Sequence, residues 1–199
     1  MRKRIVTWMI DSGSIDEKER ELYEYAIQSL KLLIMPVFYA VFMGWILQEW
    51  RITASFVFIF AIVRKFSGGY HAKTELRCTF FSLLSIFAGV ESVRMIVPGL
   101  GLRIAFFISV LIILMSSPLD SPNKRIDTNE KKYICKIVII IEAIICVIVW
   151  ALENSKYEDY MKSIMVANIF VALFQVVQII INILQKSSFY ACVVEKADQ

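Results

Sequence analysis

Six apolar stretches, parted only by short charged clusters, constrain this chain more than anything else in it. They run over about Ala26–Leu47, Ile52–Val63, Thr79–Val97, Leu102–Met115, Ile134–Leu152 and Ile164–Leu184. A helix needs roughly 20 apolar residues to cross the hydrocarbon core of a bilayer. The first, third, fifth and sixth stretches reach that length. The second and fourth fall short and could tilt, or enter and leave by the same face. The pattern predicts an all-α integral membrane protein, a polytopic helical bundle of about six membrane segments: four full spans plus two short ones that could be re-entrant. Composition agrees, since 58% of residues are hydrophobic and the mean hydropathy is +0.62. A soluble domain is closer to half apolar.

Charge placement predicts the orientation. The formal net charge of +4 is too small to suggest nucleic acid. With six spans, one side collects Arg2, Lys3, Arg4, Lys18, Arg20, Arg64, Lys65, Lys73, Arg77, Lys124, Arg125, Lys131, Lys132, Lys136, Lys186 and Lys196. The other holds Arg51, Arg103, Lys156 and Lys162, with Arg94 near its end of the third stretch. The richer side should be cytoplasmic, which puts both termini there. Connections are short, so one domain over residues 1–199 is expected. No small-residue cleavage site precedes the first stretch, so no removable signal peptide is expected.

Cysteine usage narrows the chemistry. Cys78, Cys135, Cys146 and Cys192 form no Cys-x-x-Cys pair, and the chain has one histidine. Three of the four fall at or near the reducing face, so disulfides are not expected. Scattered cysteines without ligand spacing do not make a zinc site, and no cofactor is expected.

Local signals fill in the path. Ser14 and Glu17 have the spacing of a capping box, which predicts a helix running from there into the first stretch. Pro36 should kink it. Trp45 and Trp50 fall where an outer aromatic belt would sit. Pro98–Gly101 reads as a tight outer turn, and Ser116–Lys124 as an inner loop held extended by two prolines. Asn168, Gln175 and Asn182 recur every seven residues on one face of the last stretch, as at a packing seam or homodimer interface. Glu142 should face the bundle or a wet cavity, and Glu91 can pair with Arg94 one turn on.

The segment from Arg64 to Cys78 carries the chemistry. It holds the only histidine, His71, with Cys78 seven residues later, at the membrane surface between two apolar stretches. Cysteine acyl chemistry needs a thiolate, and an adjacent imidazole supplies it by taking the proton. On a straight helix seven residues rise about 10.5 Å, so the two side chains could not meet. The chain must fold back, and Gly68-Gly69 gives it the freedom. His71 is therefore expected in the loop and Cys78 in the first turn of the third span, where the helix dipole favours the thiolate. Glu75, Ser67, Asp120 or Asn123 could orient His71. Phe66, Tyr70, Phe80 and Phe81 could keep water from an acyl intermediate.

Arg64, Gly69, His71, Ala72 and Cys78, at this spacing, resemble the motif of the accessory gene regulator B (AgrB) family, the membrane cysteine peptidases of Gram-positive quorum sensing. A second likeness is Pro118–Lys124, similar to the family's Pro, acidic, Pro-Asn-Lys stretch. Arg125 departs from it, where many members have Pro. The likeness in size and order of apolar stretches covers nearly the whole chain. The resemblance implies a cysteine endopeptidase that removes the C-terminal tail of a short AgrD-like autoinducer propeptide. Cys78 would be the nucleophile and His71 the base. Release would come by closure of a thiolactone or lactone ring. Arg64, Gly69 and Glu75 would support the site. Lys124, Arg125, Lys131 and Lys132 could hold an acidic propeptide tail, besides marking the cytoplasmic side. The bilayer and a second copy of the chain would be partners. A non-enzymatic peptide exporter or scaffold is the alternative, distinguished by whether processing survives loss of Cys78.

Overall fold

The computed structural model describes the backbone of residues 2–68, 75–118, 128–153 and 156–197, and side chains of 4–27, 30, 34–68, 79–118, 131–153 and 156–184. Among them every regular element is helical: α1 Arg2–Asp11, α2 Arg20–Leu47, α3 Trp50–Ser67, α4 Glu75–Met95, α5 Leu100–Ser116, α6 Thr128–Leu152 and α7 Glu158–Ala197. Each of the six apolar stretches lies within or largely within one of α2 to α7. Among the described residues, two helices are long and apolar enough to cross a membrane, over Lys131–Leu152 and Glu158–Leu184, and Ile34–Leu47 and Leu100–Ser116 are shorter apolar helices.

The expected capping box does not form. Glu17–Glu19 is a 3-10 turn after Asp16, which makes no side-chain cap, and α2 begins only at Arg20. Ser14 is spent on the element before it. Gly13 adopts φ +69°, its N–H donates to the Ile10 carbonyl, and the Ser14 N–H donates to Met9. This pair of bonds is a Schellman closure of α1. Val6 anchors α1 with no exposed surface, and Arg20 donates to the Thr7 hydroxyl at 3.2 Å. Pro36 sits inside α2, which continues through it.

The bundle is built around α7. It packs most extensively on α3 and α5, then on α4 and α6. An aromatic ladder joins α3 to α7: Phe56 meets Phe170 edge-on at 5.7 Å and Phe60 meets Phe174 at 6.0 Å. Both partners advance by four residues together, so the two helices run in the same direction. Gly89 on α4 has the Phe56 ring where its Cβ would be, which lets α4 approach α3 closely.

The outer surface suits lipid. Ile104, Phe107, Ile108, Leu111 and Met115 on α5, and Ile140, Ile144 and Val147 on α6, are exposed at helical spacing. Stripes of this kind have no place in water but match hydrocarbon. Serines inside the helices return their protons to the preceding turn, as Ser85 to Phe81, Ser92 to Ala88 and Ser163 to Asp159. These serine hydroxyls are thus satisfied without water, whereas Thr53 Oγ1 on α3 is buried without a partner.

Ties across helices define two ends. At one, Arg103 at the start of α5 meets Glu153 after α6 at 2.6 Å. Arg94 near the end of α4 pairs with Glu91 at 3.0 Å, as expected, and reaches Glu49 before α3 at 4.0 Å. At the other end, the last residues of α3 and α5 meet α7 and the start of α6.

Candidate functional site

At that second end the last turn of α3 carries the first motif residue. The Arg64 guanidinium lies over the Phe174 ring at 4.8 Å and the Phe60 ring at 5.4 Å. A planar cation stacked on two aromatic faces is held more firmly than a flexible ammonium would be. Lys65 beside it is exposed, its ammonium 5.5 Å from the Phe66 ring. Ser67 closes α3 and has no exposed surface. Gly68 then takes φ +81° and ψ −161°, a conformation essentially confined to glycine. The helix stops here, three residues short of His71.

His71 and Gly69 lie outside the described residues, as do Lys124 and Arg125. Glu75 and Cys78 lie on the described backbone of α4, with Cys78 its fourth residue, but their side chains are outside it. The expected His71–Cys78 contact therefore falls outside the described residues. The next residue, Thr79, is fixed: the Tyr39 hydroxyl on α2 donates to the Thr79 hydroxyl oxygen at 3.0 Å. α4, one residue past Cys78, is thereby tied to a neighbouring helix. Lys131 and Lys132 are exposed in the early turns of α6. Asp120, Asn123 and Tyr70 are outside the described residues. The Ser67 hydroxyl lies 3.4 Å from the Gly68 carbonyl oxygen. Phe80 and Phe81 face outward, 64% and 42% exposed, so of the four aromatics expected to exclude water they belong to the lipid face. Phe66 packs partly buried against the core.

A buried amide dominates this end. Gln175 on α7 has no exposed surface. Its Nε2 donates to the Ser67 carbonyl at 3.2 Å and to the Ser117 hydroxyl at 3.0 Å. Its Oε1 accepts from the Ser116 hydroxyl at 2.7 Å, whose single proton is shared with the Ile112 carbonyl at 2.6 Å. From the start of α6, the Cys135 thiol donates to the Ser117 carbonyl at 3.4 Å. Four helices thus meet on one knot, and both motif segments leave the bundle from it: one through Gly68, the other through Pro118. The seven-residue polar stripe pointed to Gln175, but nothing in sequence showed its partners.

The rest of that stripe is also spent within the chain. Asn168 is fully buried and donates from Nδ2 to Glu142 Oε2 at 2.8 Å. Glu142 is 1% exposed and faces the bundle, as expected. Asn182 accepts from Gln178 at 2.7 Å. The buried pair at 168 and 175 is a packing seam of the monomer, so self-association would need another face.

The family Accessory gene regulator B, AgrB, matches residues 2–181. Two Clostridium perfringens proteins with provisional names are similar. AgrB-like protein 2 of strain 13 / Type A is 24% identical over 125 residues, 59% of this chain and 58% of that protein. The AgrB-like protein of strain SM101 / Type A is 25% identical over 125 residues, with the same shares. The match thus spans a little under three fifths of the length of these relatives. No solved structure matches. Because the family match takes in nearly all of the helical bundle, and both segments that leave the Gln175 knot, the chain belongs to the accessory gene regulator B family.

Proposed function

We propose that this chain is a membrane-embedded cysteine endopeptidase that removes the C-terminal tail of a short AgrD-like autoinducer propeptide and promotes its cyclisation for quorum sensing. The family match over residues 2–181 carries the reading, because it includes both motif segments. One local feature supports it: α3 ends at Ser67 and is closed by Gly68, before His71.

In this reading the Cys78 thiol gives its proton to His71, and the thiolate attacks the scissile carbonyl. His71 returns the proton to the leaving amine, the C–N bond breaks, and the tail departs. The remaining thioester is attacked by a thiol or hydroxyl of the substrate itself. A thiolactone or lactone ring closes and the Cys78 sulfur is released as thiol. Oxyanion donors would be backbone N–H groups near Cys78. Arg64, Gly69 and Glu75 support the site, and Lys124, Arg125, Lys131 and Lys132 attract the acidic tail. The protein acts in the bacterial cell membrane as a multi-pass bundle, with catalytic residues on the cytoplasmic side and a homodimer as its working form.

The test is co-expression with a propeptide of this type. Cys78→Ala and His71→Ala should each abolish tail release, by at least about a hundredfold. Undiminished release in Cys78→Ala overturns the mechanism and favours a transport or scaffold role.

A further inference from the structure

At the end of the bundle away from the motif segments, α3 and α7 both begin. Trp50, Arg51, Ala54, Ser55 and Phe58 share one outward side of α3, within about 140° of arc. With Tyr160 from the first turn of α7 they line an open groove of about 520 Å³, a volume in the range of ligand clefts. One wall is the Trp50 ring, which packs on Gly44 of α2 so closely that a Cβ there would lie 2.9 Å from it. The other is Tyr160, its ring edge-on to Tyr157 at 6.1 Å.

Depth and charge say what fits. Trp45, Trp50, Trp150 and Tyr157 are all exposed at this end, and such amphipathic rings settle at the headgroup level. Phe58, 63% exposed, lies about 12 Å further along α3 than Trp50. The groove thus runs from headgroup depth into hydrocarbon. The carboxylates of this end are engaged elsewhere: Glu49 and Glu91 with Arg94, Glu153 with Arg103, Glu158 and Asp159 with Lys162. Arg51, exposed at the head of the groove, has no carboxylate partner among the described residues. No side chain caps the start of α3, so its first N–H groups add positive potential beside Arg51. A peptide laid here would carry polar backbone down past Ala54 and Phe58, which offer it no hydrogen bond. A hydrocarbon chain under an anionic head meets both halves of the groove, and the guanidinium fork suits a phosphate.

We propose that this groove binds one anionic glycerophospholipid, with its phosphate on the Arg51 guanidinium and an acyl chain along Ala54 and Phe58. The inference stands on the place of the bundle in a membrane and is independent of the peptidase reading.

The full chain in neutral detergent is titrated with phosphatidylglycerol and, separately, with phosphatidylcholine, and bound lipid is counted by native mass spectrometry. The first event should be one phosphatidylglycerol, held about fivefold tighter than phosphatidylcholine, which is what one cation near a membrane surface contributes. Arg51→Gln should erase that preference. Lys156→Gln, which removes another exposed cation of the same end, should leave it intact. Ala54→Trp, which fills the groove, should weaken both lipids, and a large excess of inorganic phosphate should displace neither. Equal affinity for the two lipids in the wild type overturns the proposal, as does a preference that survives Arg51→Gln. An equal loss in Lys156→Gln would mean diffuse attraction rather than a site, and displacement by inorganic phosphate would mean a free-anion site; either sinks the lipid assignment. Should Ala54→Trp fail to fold, Phe58→Ala decides the acyl half: it should weaken both lipids, and unchanged affinity there puts the chain outside the groove.

Discussion

Single residues set the closest approaches in this bundle. Gly89 faces Phe56, which is itself buried between α3 and α7. An alanine in a helix interior normally gains about 1 kcal/mol over glycine. Here its methyl would occupy the Phe56 ring, and overpacking costs about 1–3 kcal/mol. Gly89→Ala should therefore lower the thermal midpoint in detergent, and Phe56→Leu added to it should restore part of the loss; a Gly89→Ala variant at least as stable as wild type would contradict the packing. What sequence reveals at this scale is uneven. Gly68 was legible as a break because a glycine pair after a helical run offers few other readings. Ser14 was not, because its hydroxyl suits either the end of α1 or the start of α2, and Gly13 decided between them. Gln175 was legible as a polar stripe member but not as a clamp, since its partners lie 58, 59 and 108 residues away.

Among the helices, α7 and α6 differ in role. Half of the most apolar window of α7 is buried within the bundle, against 17% for α6. The peripheral helix is joined to the central one by the Glu142–Asn168 bond, and Glu142 Oε1 and Asn168 Oδ1 are both buried without a partner. Hydrogen bonds between membrane helices average about 0.6 kcal/mol and reach about 1.7. Removing one partner costs more than the bond, because a buried polar group is left behind. Asn168→Leu should thus destabilise by about 1–2 kcal/mol in reversible unfolding from bicelles, and Glu142→Leu added to it should recover part of that. Strict additivity of the two losses would mean the pair is not coupled. Helix positions were readable from apolar runs because a membrane helix is specified by hydropathy over its whole length. Which helix sits at the centre was not readable, because α6 and α7 are alike in hydropathy and differ only in what surrounds them.

For the molecule as a whole, the helix ends bear on the two short stretches. Ties at both ends show α5 running the length of α6: Arg103 meets Glu153 at one end, and Ser117 accepts from Cys135 at the other. α3 likewise begins beside Glu49, which reaches Arg94, and ends on Gln175. A segment that returned to the face it entered would not join opposite ends of its neighbours. The charges differ between ends as well. Arg94, Arg103 and Lys162 each pair with a carboxylate at one end, where Arg51 and Lys156 are also exposed, while the other presents exposed Lys65, Lys131, Lys132 and Lys136. Excess cations mark the cytoplasmic face. The proposed multi-pass arrangement, with all six long helices crossing, makes a sharp prediction at Val97, which is 82% exposed between α4 and α5. With six crossings Val97 lies outside the cell. With four, and α3 and α5 re-entrant, it lies inside. A membrane-impermeant maleimide applied to intact cells should therefore label Val97→Cys well above the parent chain, and Lys132→Cys only after lysis. Protection of Val97→Cys until lysis would remove α3 and α5 from the set of spans, and with them the shared cytoplasmic end on which the two motif segments meet.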